Sequence, residues 1–298
     1  MPATAATTAG INAVRWPPSH GHRACRRRRA PCPVKPTTPF VPNPPPSRRG
    51  ADPAAPAPVH AIAQSVAPAG GLEDQLAPLA AAMDVALEQA QCAALGQFAR
   101  LLLRWDRVHN LTAITEEGQV LTHHLLDSLS IAAAMRELAG RRSHAADAQE
   151  RPVRVLDVGA GAGLPGIPLA VALPQLRFTL NDAVSKKCAF MTQARLELGL
   201  SNVEVVHCRA EQMHAARFDL IVSRALASVG AFTTLTRHLL APGGRWLAMK
   251  GAEPLQELRE LPPHVKALRT VKLRVPRLDE ARHLVVLAPD GQEPTGHP

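Results

Sequence analysis

The sequence predicts an α/β domain on a mostly parallel sheet, preceded by a small helical region and a disordered tail. Three observations carry that reading. After Pro152, short apolar runs alternate with stretches long enough for crossover helices. A strand over residues 153–158 runs directly into a loop with glycines at 159, 161, 163 and 166. The first 70 residues hold 15 of the chain's 28 prolines and few large apolar side chains.

That tail, residues 1–70, carries nine basic groups against Asp52 alone, so the remainder of the 298-residue chain is close to neutral despite a net charge of +9. Bulk charge therefore gives no argument for nucleic-acid binding by the folded part. With so little to bury, the tail cannot offset the entropy of ordering itself. Three origins compete: a coding start placed too far upstream, a transit peptide, and a basic arm that captures RNA. Deleting residues 1–70 is expected to leave folding and activity intact; a large loss of activity would single out the arm. The five cysteines show no paired spacing and fit a reducing cytoplasm, and no apolar run reaches membrane-span length.

Residues 71–145 read as helical. Leu95, Phe98, Leu102 and Trp105 recur at helical spacing and form a core stripe, and Asn110-Leu-Thr ends that helix. A second helical run spans His123 to Leu138, and residues 141–152 are polar and read as a linker. Residues 150–298 form the α/β domain. Its strands are expected at 153–158, 177–180, 203–207, 220–223, 245–250, 271–275 and 283–287, with helices over 185–198 and 229–240. Ligands of such a sheet sit beyond the carboxyl ends of its strands.

The glycine loop lets the backbone turn sharply and approach a ligand closely. Gly161-x-Gly163-x-x-Gly166 alone is also a dinucleotide signature. Asp157, two residues before Gly159, points instead to S-adenosylmethionine: a carboxylate repels a pyrophosphate and attracts the ammonium of an amino acid. Asp182 ends the second strand, where a carboxylate can accept from both ribose hydroxyls. Ala210 and Glu211 end the third, in place to read an adenine edge. Arg209, Arg224 and Lys250 are cations at three strand ends. The Arg224 guanidinium could hold a base O6, a phosphate or the cofactor's carboxylate. The fourth strand ends without the Asp/Asn-Pro-Pro-aromatic turn of amino-group methylases, and neither Cys188 nor Cys208 sits in a Pro-Cys turn that would supply a pyrimidine-opening nucleophile. N7 of guanine needs neither device, since its lone pair attacks with no proton to remove.

Residues 101–251 resemble the glucose-inhibited division protein B family, the ribosomal small-subunit methyltransferases G. The resemblance rests on Trp105-Asp-Arg-Val-His-Asn-Leu-Thr-Ala-Ile114, His124-Leu-Leu-Asp-Ser-Leu129, the segment 157–169, Lys186-Lys-Cys-Ala-Phe190, Arg209-Ala-Glu211, Ser223-Arg-Ala225 and Lys250-Gly251. It implies a class I, Rossmann-like methyltransferase acting on N7 of a guanine in the 530 loop of 16S ribosomal RNA, as free RNA or in the small subunit. It also implies that Gly159, Leu164, Ala210, Glu211 and Arg224 contact S-adenosylmethionine, and that Arg209 and Lys250 serve cofactor or RNA. Gly161, Asp157 and Asp182 complete the expected cofactor set. His123, His124 and Asp127 do not make a closed metal shell, and a structural or RNA-facing role is expected for them, with no metal. The protein is expected to be a cytoplasmic monomer. The rival readings are a methyltransferase of a small molecule and a non-catalytic RNA-binding protein of the same fold; cofactor binding separates the second from the first.

Overall fold

The computed structural model describes residues 71–143, 151–214, 217–224 and 228–291. The basic tail of the sequence reading lies outside the described residues. Two helices open the described chain, α1 (Leu72–Ala81) and α2 (Gln89–His109). The expected stripe on α2 is buried at Leu95, Phe98 and Leu102, while Trp105 is partly buried and stacks edge-on to Phe190 at 5.5 Å. Asn110 ends α2 in the left-handed region at φ 48°, which asparagine tolerates better than most residues. The buried Asp106 carboxylate then accepts from Thr112 N–H at 2.7 Å and fixes the turn that carries Ile114.

The second helical run is not one α-helix. Short pieces α3 (Glu117–Gln119) and α4 (Asp127–Leu129) flank a π-helix over Val120–Leu126, and α5 (Ala132–Ser143) follows a break at Ser130-Ile131. A π-helix takes more residues per turn than an α-helix, so α-helical spacing misjudges which side chains face inward. His124 is buried, and His123 is only partly so. Helix α5 also continues to Ser143, into the stretch expected as a linker.

Seven strands follow: β1 (Arg154–Val158), β2 (Arg177–Asp182), β3 (Val203–His207), β4 (Phe218–Arg224), β5 (Leu240–Lys250), β6 (Val265–Leu273) and β7 (Arg282–Pro289). They form one sheet in the order β3-β2-β1-β4-β5-β7-β6. The first five are parallel; β7 alone runs against both of its neighbours. The crossovers carry α6 (Gly166–Ala172), α7 (Ser185–Glu197) and α8 (Val229–Thr236), and α9 (Leu255–Arg259) precedes β6. Alternate strand residues serve opposite faces, as the period of two requires. Leu247, Met249, Leu284 and Val286 join the core on the side of the N-terminal helices. Trp246, Ala248, Val285 and Leu287 join the core beneath α8.

Two strand expectations need correction. The sixth strand lies at Val265–Leu273 rather than 271–275. It is the sheet edge and half exposed along most of its length, so it lacks the apolar run used to find it. The fifth begins at Leu240, because Pro242-Gly243-Gly244 is an irregularity within the strand. Leu240 pairs with Phe218, and the register resumes with Arg245 opposite Leu220.

Candidate active site

The glycine loop leaves β1 and is tied down by two carboxylates. Asp157 is fully buried, and its Oδ2 accepts from Gly166 N–H at 2.8 Å. Asp182, at the end of β2, accepts from Gly161 N–H at 2.9 Å through Oδ2 and from Val184 N–H at 2.8 Å through Oδ1. Gly159, Gly161 and Gly163 have φ of 67°, 60° and 74°, the left-handed region where a Cβ is strained. A side chain at Gly166 would also strike Asp157 Oδ2 at 2.7 Å and Leu180 at 2.2 Å. Gly159 and Gly161 are partly exposed, while residues 162–166 are buried. The loop therefore offers a ligand its first turn. Leu164 is buried and spends its N–H on Ala160 O at 2.9 Å.

Gly161→Ala tests the loop's backbone. A Cβ there has room, its nearest neighbour being Gly159 O at 3.9 Å, so strain at φ 60° is the main penalty. The variant is expected to lose about 1–2 kcal/mol of stability, a fall in Tm of roughly 2–8 °C. A thermal melt unchanged within a degree would show that the loop relaxes freely.

The other end of Asp157 is unsatisfied: Oδ1 is buried with no hydrogen-bond partner. Burial pushes this carboxyl up to about 7, against the Gly166 N–H and the Arg224 guanidinium, which favour the charged form. Its Oδ1 has no cation in contact, and an ammonium would supply one. Donor chemistry and glycine loop together fit S-adenosylmethionine.

At the end of β3, Asn181 donates from Nδ2 to the carbonyls of Val206 (3.2 Å) and Cys208 (2.9 Å), fixing the chain where it enters a short turn over Ala210–Gln212. Ala210 is buried there, with Arg209 and Glu211 exposed on either side. Lys186, in the first turn of α7, donates to His109 O at 2.7 Å and so caps the carboxyl end of α2.

Arg224 and Lys250 lie on the far side of β1, at the ends of β4 and β5. Both line a cavity of about 450 Å³ roofed by the π-helix, together with His124, Asp127, Arg282 and His283. Ile114, Met249 and Leu273 supply its apolar wall. Arg224 donates from Nη1 to His123 O at 2.9 Å and to Asp127 Oδ2 at 3.1 Å. Asp127 Oδ1 accepts from Arg282 Nε at 3.0 Å, so one buried carboxylate joins two guanidiniums. Lys250 Nζ pairs with Glu257 at 2.9 Å. Burial works to raise the Glu257 pKa, but Lys250 and the Val229 N–H together hold it below the usual range.

Arg282 and His283 did not enter the expected site, because they begin a strand. Since β7 runs antiparallel, its start meets the carboxyl ends of its parallel neighbours: His283 stands opposite Lys250. The signal was the reversed strand, which apolar runs do not reveal. Asn181 was likewise missed, hidden as an ordinary buried residue beside Asp182.

Comparison with protein families matches residues 91–285 to GidB, described as rRNA small subunit methyltransferase G. The chain belongs to this family. It is 46% identical over 225 residues to a ribosomal RNA small subunit methyltransferase G from Burkholderia lata, covering 74% of this chain and 93% of that protein. A Burkholderia pseudomallei relative of the same name is 47% identical over 219 residues, covering 72% and 90%. A solved SAM-dependent methyltransferase from Aquifex aeolicus overlaps 60% of this chain and 96% of its own at 15% identity and TM-score 0.42, too distant to add to the family match. The family's fold is the Rossmann-like, class I methyltransferase fold described above. Among the described residues, no helix is long and apolar enough to cross a membrane, and no cluster of His, Cys, Asp and Glu could hold a metal.

Proposed function

We propose that this protein methylates N7 of a guanine in the 530 loop of 16S ribosomal RNA. The observation that carries the mechanism is the 450 Å³ cavity at the ends of β4 and β5, where β4 is the neighbour of the strand that runs into the glycine loop. S-adenosylmethionine supplies an electrophilic methyl group on a sulfonium, and N7 takes it with its own lone pair. The chain has no proton to move, so its work is positioning and exclusion of water. Asp157 Oδ1 receives the donor's ammonium, Gly159 and Gly161 admit its backbone-facing atoms, and Asp182 holds the ribose. Ala210 and Glu211 bound the adenine, and Leu164 backs the loop. Arg224 and Lys250 border the acceptor base, while the exposed Arg209 faces cofactor or RNA. The helical region 71–145 roofs the methyltransferase domain 150–298, and the protein works as a cytoplasmic monomer on the RNA or the small subunit.

The test is labelled S-adenosylmethionine with small ribosomal subunits from cells lacking this methylation, followed by strand cleavage at N7-methylguanine. Cleavage at a single guanine in the 530 loop is the expected result. No incorporation by protein that still binds the donor would turn the search to a small-molecule acceptor.

A further inference from the structure

His124 is 6% exposed and lines the acceptor cavity, yet neither ring nitrogen has a hydrogen-bond partner. Buried polar groups are rarely left so, because an unmet one forfeits its hydration. His124 lies in the π-helix that roofs the cavity, and such turns recur at functional sites.

Guanine presents, from N7 round its edge, two acceptors (N7 and O6) and then the donors N1–H and the N2 amino group. With N7 turned to the methyl donor, O6 and N1–H face the cavity wall. The wall is rich in donors: Arg224, Arg282 and Lys250 suit O6 and cannot serve N1–H. Acceptors are scarcer. Both Asp127 oxygens already receive guanidinium hydrogens. His123 is engaged with Thr122 through Nδ1 and lies 3.6 Å from Glu280 through Nε2. His283 donates from Nδ1 to Gly251 O, which leaves only its Nε2 to accept. His124 is the lining imidazole with both nitrogens shielded from water and unbonded.

Resting on the guanine reading above, we propose that His124 accepts a hydrogen bond from N1–H of the target guanine and thereby selects guanine over adenine. Adenine carries a lone pair at N1, so it would meet this tautomer acceptor to acceptor and would require the imidazole proton on the facing nitrogen instead. The role requires a neutral imidazole. Burial, with the Arg224 guanidinium adding to it, pushes His124 down to about 4, so its lone pair is free at neutral pH.

The experiment compares wild type, His124→Leu and His124→Gln on small subunits whose target base is guanine or, after reconstitution, adenine. Donor affinity is measured by calorimetry and folding by thermal melts. His124→Leu is expected to slow transfer to guanine by about tenfold to a hundredfold, with donor affinity within twofold of wild type and a lower guanine-to-adenine ratio. His124→Gln, which keeps an acceptor oxygen, recovers part of the rate and of the ratio. Full guanine activity in His124→Leu overturns the assignment. If that variant does not fold, an unchanged guanine-to-adenine ratio in His124→Phe, which keeps a ring of similar shape and has no acceptor, overturns it equally. Wild-type protein inactive on guanine subunits would bring down the functional reading, and this inference with it.

Discussion

Asp157→Ala is expected to weaken S-adenosylmethionine binding by between about thirtyfold and a few thousandfold, the usual range for truncating one partner of a buried, hydrogen-bonded charge pair. The carboxylate has one oxygen occupied by Gly166 N–H and the other buried and open. Alanine removes both, whereas Asp157→Asn keeps an acceptor for Gly166 and puts an uncharged NH₂ donor in place of the other oxygen. Comparing the two by calorimetry separates loop support from charge pairing. The pH dependence is a sharper test. The group sits near 7 in the free protein, and an ammonium favours its ionised form. Donor affinity should therefore fall about tenfold for each pH unit below 7 and level off above it. A profile flat from pH 5.5 to 7.5 would sink the pairing. Stability runs the other way. The folded pKa is raised above the ordinary 3.8, so the folded chain binds this proton more tightly. The contribution is full below the unfolded pKa and is lost as pH climbs through about 7.

The largest effect on folding is expected from Asp127→Ala. The carboxylate is 3% exposed and accepts from Arg224 at 3.1 Å and Arg282 at 3.0 Å. Its loss leaves two half-buried guanidiniums facing each other without a counter-charge. Breaking such an arrangement typically costs about 3–5 kcal/mol, which for a domain of this size lowers Tm by roughly 6–20 °C. Asp127→Asn should fall between, since its amide oxygen can serve one arginine while its NH₂ opposes the other. Melts and methyl transfer measured on the same samples would distinguish a lost site from a lost fold. A Tm within two degrees of wild type for the alanine variant would mean that solvent already neutralises the arginines.

The glycine loop and its two carboxylates were legible in the sequence because their signals are local. The glycines stand where the backbone takes positive φ, and Asp157 and Asp182 sit at the ends of strands that apolar runs identify. Less visible was that each carboxylate also builds the loop it was expected to serve. Helix α2 followed from apolar spacing, and α7 from the length of chain between two expected strands. The cavity at the ends of β4 and β5 was largely illegible for two physical reasons. The π-helix over Val120–Leu126 breaks the 3.6-residue period, so the inward face of His124 and Asp127 could not be read from spacing. The reversal of β7 brings Arg282 and His283 to a sheet edge where only strand ends were sought. Edge strand β6 was misplaced because half-exposed residues carry no clear alternation.

The bridge at Asp127 also sets an order in time. The donor loop draws its ties from residues 9 and 21 positions apart, Gly166 to Asp157 and Gly161 to Asp182. The acceptor cavity needs partners 97 and 155 positions away, Arg224 and Arg282 for Asp127. During synthesis from the N-terminus, every residue of the donor loop has left the ribosome while both arginines are still unmade. Asp127 meanwhile has no counter-charge and cannot be buried cheaply. The π-helical roof can therefore close only when translation has nearly finished. The cavity at the ends of β4 and β5 is completed after the glycine loop.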